Sequence, residues 1–219
     1  MARRALILWG GWEGHEPRAV AGIFRSVLTD HDFDVRLADS LDALLDDQLD
    51  KLSLIVPVWT MGEIGDVELA SLCLAVEAGV GLAGCHGGMG DSFRDSPDYQ
   101  LMVGGQFVGH PGDDGITYDV HISDPNHPLT IGIDDFSITS EQYYMHVDPS
   151  NTVLATTPFP VAEGPHVPNG PFEMPVAWTR RHGAGRVFYC SLGHDAEIVA
   201  LPPVLELCTR GLLWAGRAE

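Results

Sequence analysis

The chain has 219 residues, 45% of them hydrophobic, which suffices for one well-buried core, so a single domain over residues 1–219 is expected. Its formal net charge is −19 and Lys51 is its one lysine, a balance that repels phosphate backbones and anionic bilayers and excludes nucleic acid and membrane as expected partners. No apolar run reaches bilayer-spanning length and the apolar start is too short for a secretion signal, so a cytoplasmic protein is expected, and its acidity accommodates a neutral or cationic small ligand.

Ala5–Trp9 reads as a buried strand that stops in the glycine-rich loop Gly10-Gly11-Trp12-Glu13-Gly14-His15. The loop contains neither GxGxxG nor GxxxxGK[ST], so a nucleotide site is weakly supported. Pro17 suits the first turn of a helix with the apolar stripe Ala19, Val20, Ile23, Phe24 and Val27. Phe33–Leu37 is a second strand, and Ser40 can cap the helix that follows it. Leu52–Val58 is almost wholly apolar, as a strand buried on both faces would be, and ends at Trp59-Thr60. Val67–Ala78 is a third helix closed by Gly79. Val80–Gly84 is a fourth strand that leaves through Cys85-His86-Gly87-Gly88, where glycines allow a tight turn and close approach to a ligand. This alternation predicts an α/β, doubly wound, mainly parallel sheet with helices on both faces and its strand C-termini along one edge.

After Asp91 the pattern is irregular. Ser96-Pro97 starts a short helix toward Val103, Ile116–Ile122 and Thr152–Thr156 read as strands, and 136–140 leads into Glu141-Gln142-Tyr143-Tyr144. Pro158–Pro171 carries five prolines without periodicity and reads as a long loop, either a functional flap or a mobile insertion. Pro175–Arg180 and Arg186–Cys190 form a hairpin across 182–185. Pro202 and Pro203 open a terminal helix whose apolar positions, Trp214 included, suit burial within the chain or a homodimer equally.

If the sheet is parallel, its exits bring Trp12, Glu13 and His15, then Trp59 and Thr60, then Cys85, His86 and Asp91, then Ser191 and His194 to one edge. Among the ten histidines, His86, His110 and His194 stand in glycine-framed turns, whereas His31, His121, His127 and His182 read as ordinary surface or core residues. Of the four cysteines, Cys73, Cys190 and Cys208 read as buried small hydrophobes, and no Cys-x-x-Cys pair suggests structural zinc. The set admits three chemistries. Cys85 could be a nucleophile at a strand-to-helix elbow. Histidines and carboxylates could hold a divalent metal, although no HxH or HExxH spacing marks one. Or the crevice only binds a sugar, with Trp12, Trp59 and Tyr143 as platforms and Glu13, Asp91, Glu141 and histidines hydrogen-bonding its hydroxyls.

Nearly end to end, the chain resembles the ThuA family, the trehalose-utilisation proteins related to class I glutamine amidotransferases. The resemblance rests on Gly10–Glu16, on Gly84-Cys85-His86-Gly87-Gly88-Met89-Gly90-Asp91-Ser92-Phe93 and on Gly104-Gly105-Gln106-Phe107-Val108-Gly109-His110-Pro111. It continues through His127-Pro128-Leu129-Thr130, Ser140-Glu141-Gln142-Tyr143 and Gly185–His194. It implies a flavodoxin-like, glutamine-amidotransferase-like fold and a role in bacterial sugar catabolism, with motif residues at His86, Asp91, His110, Glu141, Tyr143 and His194. The expected function is acid/base chemistry, metal-assisted or not, on a disaccharide or keto-sugar derivative. His86 and His194 are then the acid/base or ligand pair, Asp91 and Glu141 orient them or bind sugar, and His110 shapes the pocket. Trp12, Glu13, His15, Trp59, Cys85 and Tyr143 are the expected substrate contacts. The alternatives are a Cys85-dependent hydrolase and a non-catalytic sugar-binding module. ThuA-like proteins commonly carry an aliphatic residue at the position of Cys85, and the downstream His-x-Glu pair of the amidotransferases is missing at His194-Asp195-Ala196-Glu197.

Overall fold

In the computed structural model, which describes residues 3–217, the first part of the chain alternates strand and helix as its apolar patterning predicts. It runs β1 (Arg3–Gly11), α1 (Pro17–Asp30), β2 (Phe33–Ala38), β3 (Leu54–Thr60), α2 (Asp66–Ala78) and β4 (Gly81–Cys85). A tight turn leads into α3 (His86–Gly90), followed by α4 (Pro97–Val103), β5 (Gly105–Gly109), β6 (Ile116–Ile122), β7 (Phe136–Ser140) and β8 (Tyr144–Val147). The chain then forms β9 (Thr152–Phe159), β10 (Phe172–His182), β11 (Gly185–Cys190), α5 (Ala196–Val199) and α6 (Pro202–Ala215).

Nine of the strands form one mixed sheet in the order β2-β1-β3-β4-β11-β10-β9-β6-β7. From β2 to β11 every neighbour is parallel, and the carboxyl ends share one edge. From β11 outward the pairings are antiparallel. The change of sense has a local cause. His182 and Gly185 face each other across the tight turn at Gly183-Ala184, a connection open only to antiparallel neighbours. β5 and β8 pair separately as a small antiparallel ribbon.

Each sheet face buries its own core. On one, Val20, Phe24 and Leu28 of α1 and Val204, Leu207 and Leu212 of α6 pack on Ile7, Val56 and Phe188. On the other, Leu72 and Val76 of α2 and Tyr99 and Met102 of α4 pack on Leu6, Ile55, Leu82 and Tyr189. The doubly wound arrangement is thus present, with the antiparallel strands added at one side. The segment expected as a helix after Ser40 is a 3-10 turn, Leu41–Leu45. Ser40 caps it through the Asp42 amide at 3.2 Å, but Asp46 takes the Gln48 amide at 2.9 Å and turns the chain away before an α-helix can build. No helix among the described residues is long and apolar enough to cross a membrane.

Candidate functional site

The carboxyl edge of the parallel strands gathers a cluster of imidazoles around one carboxylate. β1 exits into a 3-10 turn, Glu13–His15, which turns His15 inward. β4 exits at Cys85, and the next residue, His86, makes the turn into α3 at φ 46°, in the left-handed region that costs a non-glycine residue about 1–2 kcal/mol. β11 exits toward His194. Glu141 arrives from the antiparallel half, directly after β7.

Glu141 is the hub. Its Oε2 lies 3.0 Å from His86 Nε2, 3.3 Å from His194 Nδ1 and 3.9 Å from His15 Nε2, while its Oε1 lies 3.8 Å from His110 Nε2. Two of the imidazoles are fixed from behind. His86 Nδ1 meets the Ser191 carbonyl at 2.8 Å, and His15 Nδ1 meets the Thr60 hydroxyl at 2.8 Å. Tyr143 stacks on His86 with ring centroids 3.9 Å apart, and Trp12 meets His15 edge-on at 4.7 Å. The backbone is pinned as well. The Tyr189 hydroxyl donates to the His86 carbonyl at 3.1 Å and the Tyr118 hydroxyl to the Glu141 carbonyl at 2.9 Å.

Electrostatics follow from this packing. Burial pushes the Glu141 carboxyl up, but its contacts with His194 and His86 outweigh that and hold it below the usual carboxylate range. Burial, then the neighbouring His86, push His15 down to about 3. Burial likewise lowers His86, against its hydrogen bond to Glu141, whereas contact with Glu141 raises His194. Donor atoms of His15, His86, Glu141 and His194 all lie within 4.8 Å of one another, a set that could hold a metal ion.

The other expected residues are placed as follows. Tyr143 is buried against the cluster, and His110 stands at its mouth with 36% of its side chain exposed. Trp12 is 46% exposed at the rim, and Glu13 is exposed beside it. Asp91 is buried, yet both of its carboxylate oxygens are taken by Arg94, at 2.6 and 2.8 Å, and Arg94 lies over the Phe107 ring. Trp59 packs against Gly10 and Gly62 on the side of the second core. Cys85 is the last strand residue and its side chain lies 4% exposed in the first core, close to Gly193 and Cys208. The position at the elbow belongs to His86. Arg94 and Tyr118 escaped the sequence reading: the Asp91/Arg94 spacing of three carried a helical ion-pair signal, while nothing in the sequence around Tyr118 pointed to Glu141.

Away from this edge, a cavity of about 160 Å³ lies among Arg4, Asp34, Arg36 and Asp46, at the amino-terminal ends of the strands, and is bridged by the Arg36–Asp46 ion pair at 2.6 Å. It brings no group toward the imidazoles.

A family model described as ThuA, trehalose utilisation, matches residues 4–215. No curated protein sequence matches the chain. Among solved structures, a ThuA-like protein from Parabacteroides merdae superposes with a TM-score of 0.76 at 17% identity, covering 100% of this chain and 91% of that one. A ThuA-like protein from Bacteroides uniformis gives 0.77 at 17% identity, covering 97% and 91%. A β-galactosidase from Bacillus circulans sp. alkalophilus gives 0.61 at 13% identity over 98% of this chain but 30% of that enzyme, a likeness of fold alone.

Proposed function

The chain belongs to the ThuA family, and from that premise we propose that it is a carbohydrate-utilisation enzyme, transferring a proton on a neutral disaccharide or keto-sugar derivative at the Glu141 cluster. The observation that supports this most is the convergence of His15, His86, His110 and His194 on one buried carboxylate at the carboxyl edge of the sheet. A packed core does not require four imidazoles around one glutamate, and open α/β sheets bind ligands at this edge.

His110 is the proton-transfer residue in this reading. It is the most exposed imidazole of the cluster and has Glu141 Oε1 behind it at 3.8 Å, close enough to become a hydrogen bond when a substrate closes the site. His86, only 1% exposed, is too deep to touch a sugar and instead fixes Glu141, together with His15 and His194. Trp12 presents its half-exposed ring at the rim, where the apolar face of a pyranose can stack. The net charge of −19 favours uncharged carbohydrate over phosphorylated sugar.

The test is turnover of trehalose and of keto-disaccharides, followed by carbohydrate chromatography, for the native protein and for His110→Ala. General acid/base catalysis is worth roughly 10²–10⁴-fold, so His110→Ala should fall by that factor with its thermal transition intact. Undiminished turnover in His110→Ala would remove it from the reaction. The Cys85 hydrolase reading draws no support from the thiol's position in the core.

A further inference from the structure

With neutral imidazoles the donors and acceptors around Glu141 do not balance, and either an added proton or a metal cation must lie between them. The Ser191 carbonyl can only accept, so the His86 nitrogen facing it at 2.8 Å, Nδ1, carries a proton. In the neutral ring Nε2 then presents a lone pair, and what it faces, 3.0 Å away, is Glu141 Oε2, itself an acceptor. Two lone pairs are aimed at each other in a buried site. His194 repeats the pattern. Its Nδ1 is buried, 3.3 Å from the same oxygen, and lacks the alignment of a hydrogen bond. His15 turns Nε2 toward that oxygen too, at 3.9 Å, while the Thr60 hydroxyl holds its other nitrogen.

We propose that His15, His86, His194 and Glu141 form a binding site for one divalent first-row transition-metal ion of the Zn²⁺ class. Three imidazole nitrogens and one carboxylate oxygen are the donor set that such ions prefer over the all-oxygen cages of Ca²⁺ or Mg²⁺. The spacing agrees. Donors at 2.0–2.2 Å around one tetrahedral ion stand roughly 3.4 Å apart, and the oxygen–nitrogen separations here, 3.0, 3.3 and 3.9 Å, bracket that value. The widest separation in the set, up to 4.8 Å, closes with a small inward rotation of the rings. The outer contacts of His86 and His15 are those of ligating histidines, with Ser191 and Thr60 holding their far nitrogens and so fixing those two rings. His110 approaches the other carboxylate oxygen and stays outside the ligand set, free to meet a substrate.

The inference concerns the cluster used in the proposed function but stands on the donor arithmetic, whatever the substrate. The test uses untagged full-length protein, stripped with dipicolinate and titrated with Zn²⁺ and, separately, Mn²⁺. Elemental analysis after dialysis and calorimetry should find one ion per chain. His194→Ala and Glu141→Gln should each weaken Zn²⁺ binding at least 100-fold, while His182→Ala, outside the cluster, binds like the native protein. Co²⁺ loading gives a second readout, visible d–d bands that both ligand variants lose. Absence of binding by the native protein up to millimolar Zn²⁺ and Mn²⁺ overturns the proposal and leaves a doubly protonated His86 beside Glu141. Tight binding that both ligand variants keep overturns it as well. Metal-free protein that still turns over a sugar at the native rate removes a working metal and leaves the sugar reading standing. One bound ion in a protein inert toward every sugar does the reverse.

Discussion

Replacing Gly87 by alanine isolates the packing that holds His15 in the cluster. Gly87 lies within α3 and outside the left-handed region, so its backbone accepts alanine, and the exchange on its own should favour the helix by about 1 kcal/mol. A Cβ there, however, would stand 2.6 Å from both Cε1 and Nδ1 of His15 and 3.0 Å from Thr60 Cγ2. To regain van der Waals distance the imidazole must retreat by roughly 1 Å, which breaks its 2.8 Å bond to Thr60. Overpacking of this kind costs about 1–3 kcal/mol, so against the helix gain Gly87→Ala should be net destabilising by up to about 2 kcal/mol. In a His15→Ala background the imidazole is gone and only Thr60 Cγ2, at 3.0 Å, must give by a few tenths of an ångström, so the same exchange should be neutral or stabilising by up to about 1 kcal/mol. The coupling energy of the cycle is then about 2 kcal/mol, or about 4–8 °C in Tm for a chain of this size. Calorimetry of the four proteins measures it. Additive effects would show that Gly87 and His15 are not in register and would refute the placement of His15.

Three further outcomes follow from contacts described above. Arg94→Ala leaves the buried Asp91 carboxylate without its bidentate partner and should cost about 1–3 kcal/mol in urea unfolding, with Asp91→Asn on top recovering part; an unchanged midpoint would mean that water replaces the guanidinium. Trp178→Phe strips the Val103 carbonyl of its 3.0 Å indole donor and opens space beside Tyr189, for a loss of about 2–4 kcal/mol in the same assay. A loss below about 0.5 kcal/mol would contradict that geometry. In the native protein a thiol reagent should reach the half-buried Cys73 first, and the buried Cys85, Cys190 and Cys208 only on unfolding. Stoichiometric labelling of Cys85 in folded protein would bring the nucleophile reading back.

The sequence made the parallel half legible because its strands are short, apolar and punctuated by glycine. Leu54–Thr60 and the Gly81–Cys85 exit fell where the patterning put them, and Pro17 and Gly79 bound their helices as expected. The convergence of His15, Thr60, His86, Ser191 and His194 followed, since strand exits of a parallel sheet must share an edge. The antiparallel half was harder to read. Only its fold-back returns Glu141 and His110 to the edge, and a register such as Ile116 opposite Ser140 depends on pairing that no local pattern encodes. Side-chain partners were the least legible level. Asp91 had a carboxylate's chemistry and the right neighbourhood, but Arg94 claims it; Cys85 sits one residue before the turn, and alternation along a strand sends it into the core.

The place of β11 between β4 and β10 has a consequence for the growing chain. The hydrogen-bonding edge of β4 stays open through the synthesis of everything from α3 to β10, because its neighbour begins only at Gly185. At ordinary translation speeds of about 5–20 residues per second, that edge waits several seconds before it is capped. An exposed edge of this kind pairs readily with other chains, so the nascent protein is most open to aggregation late in its synthesis. His194 emerges just after the strand that closes the gap. Whatever the Glu141 cluster captures can therefore be held only by a sheet already whole.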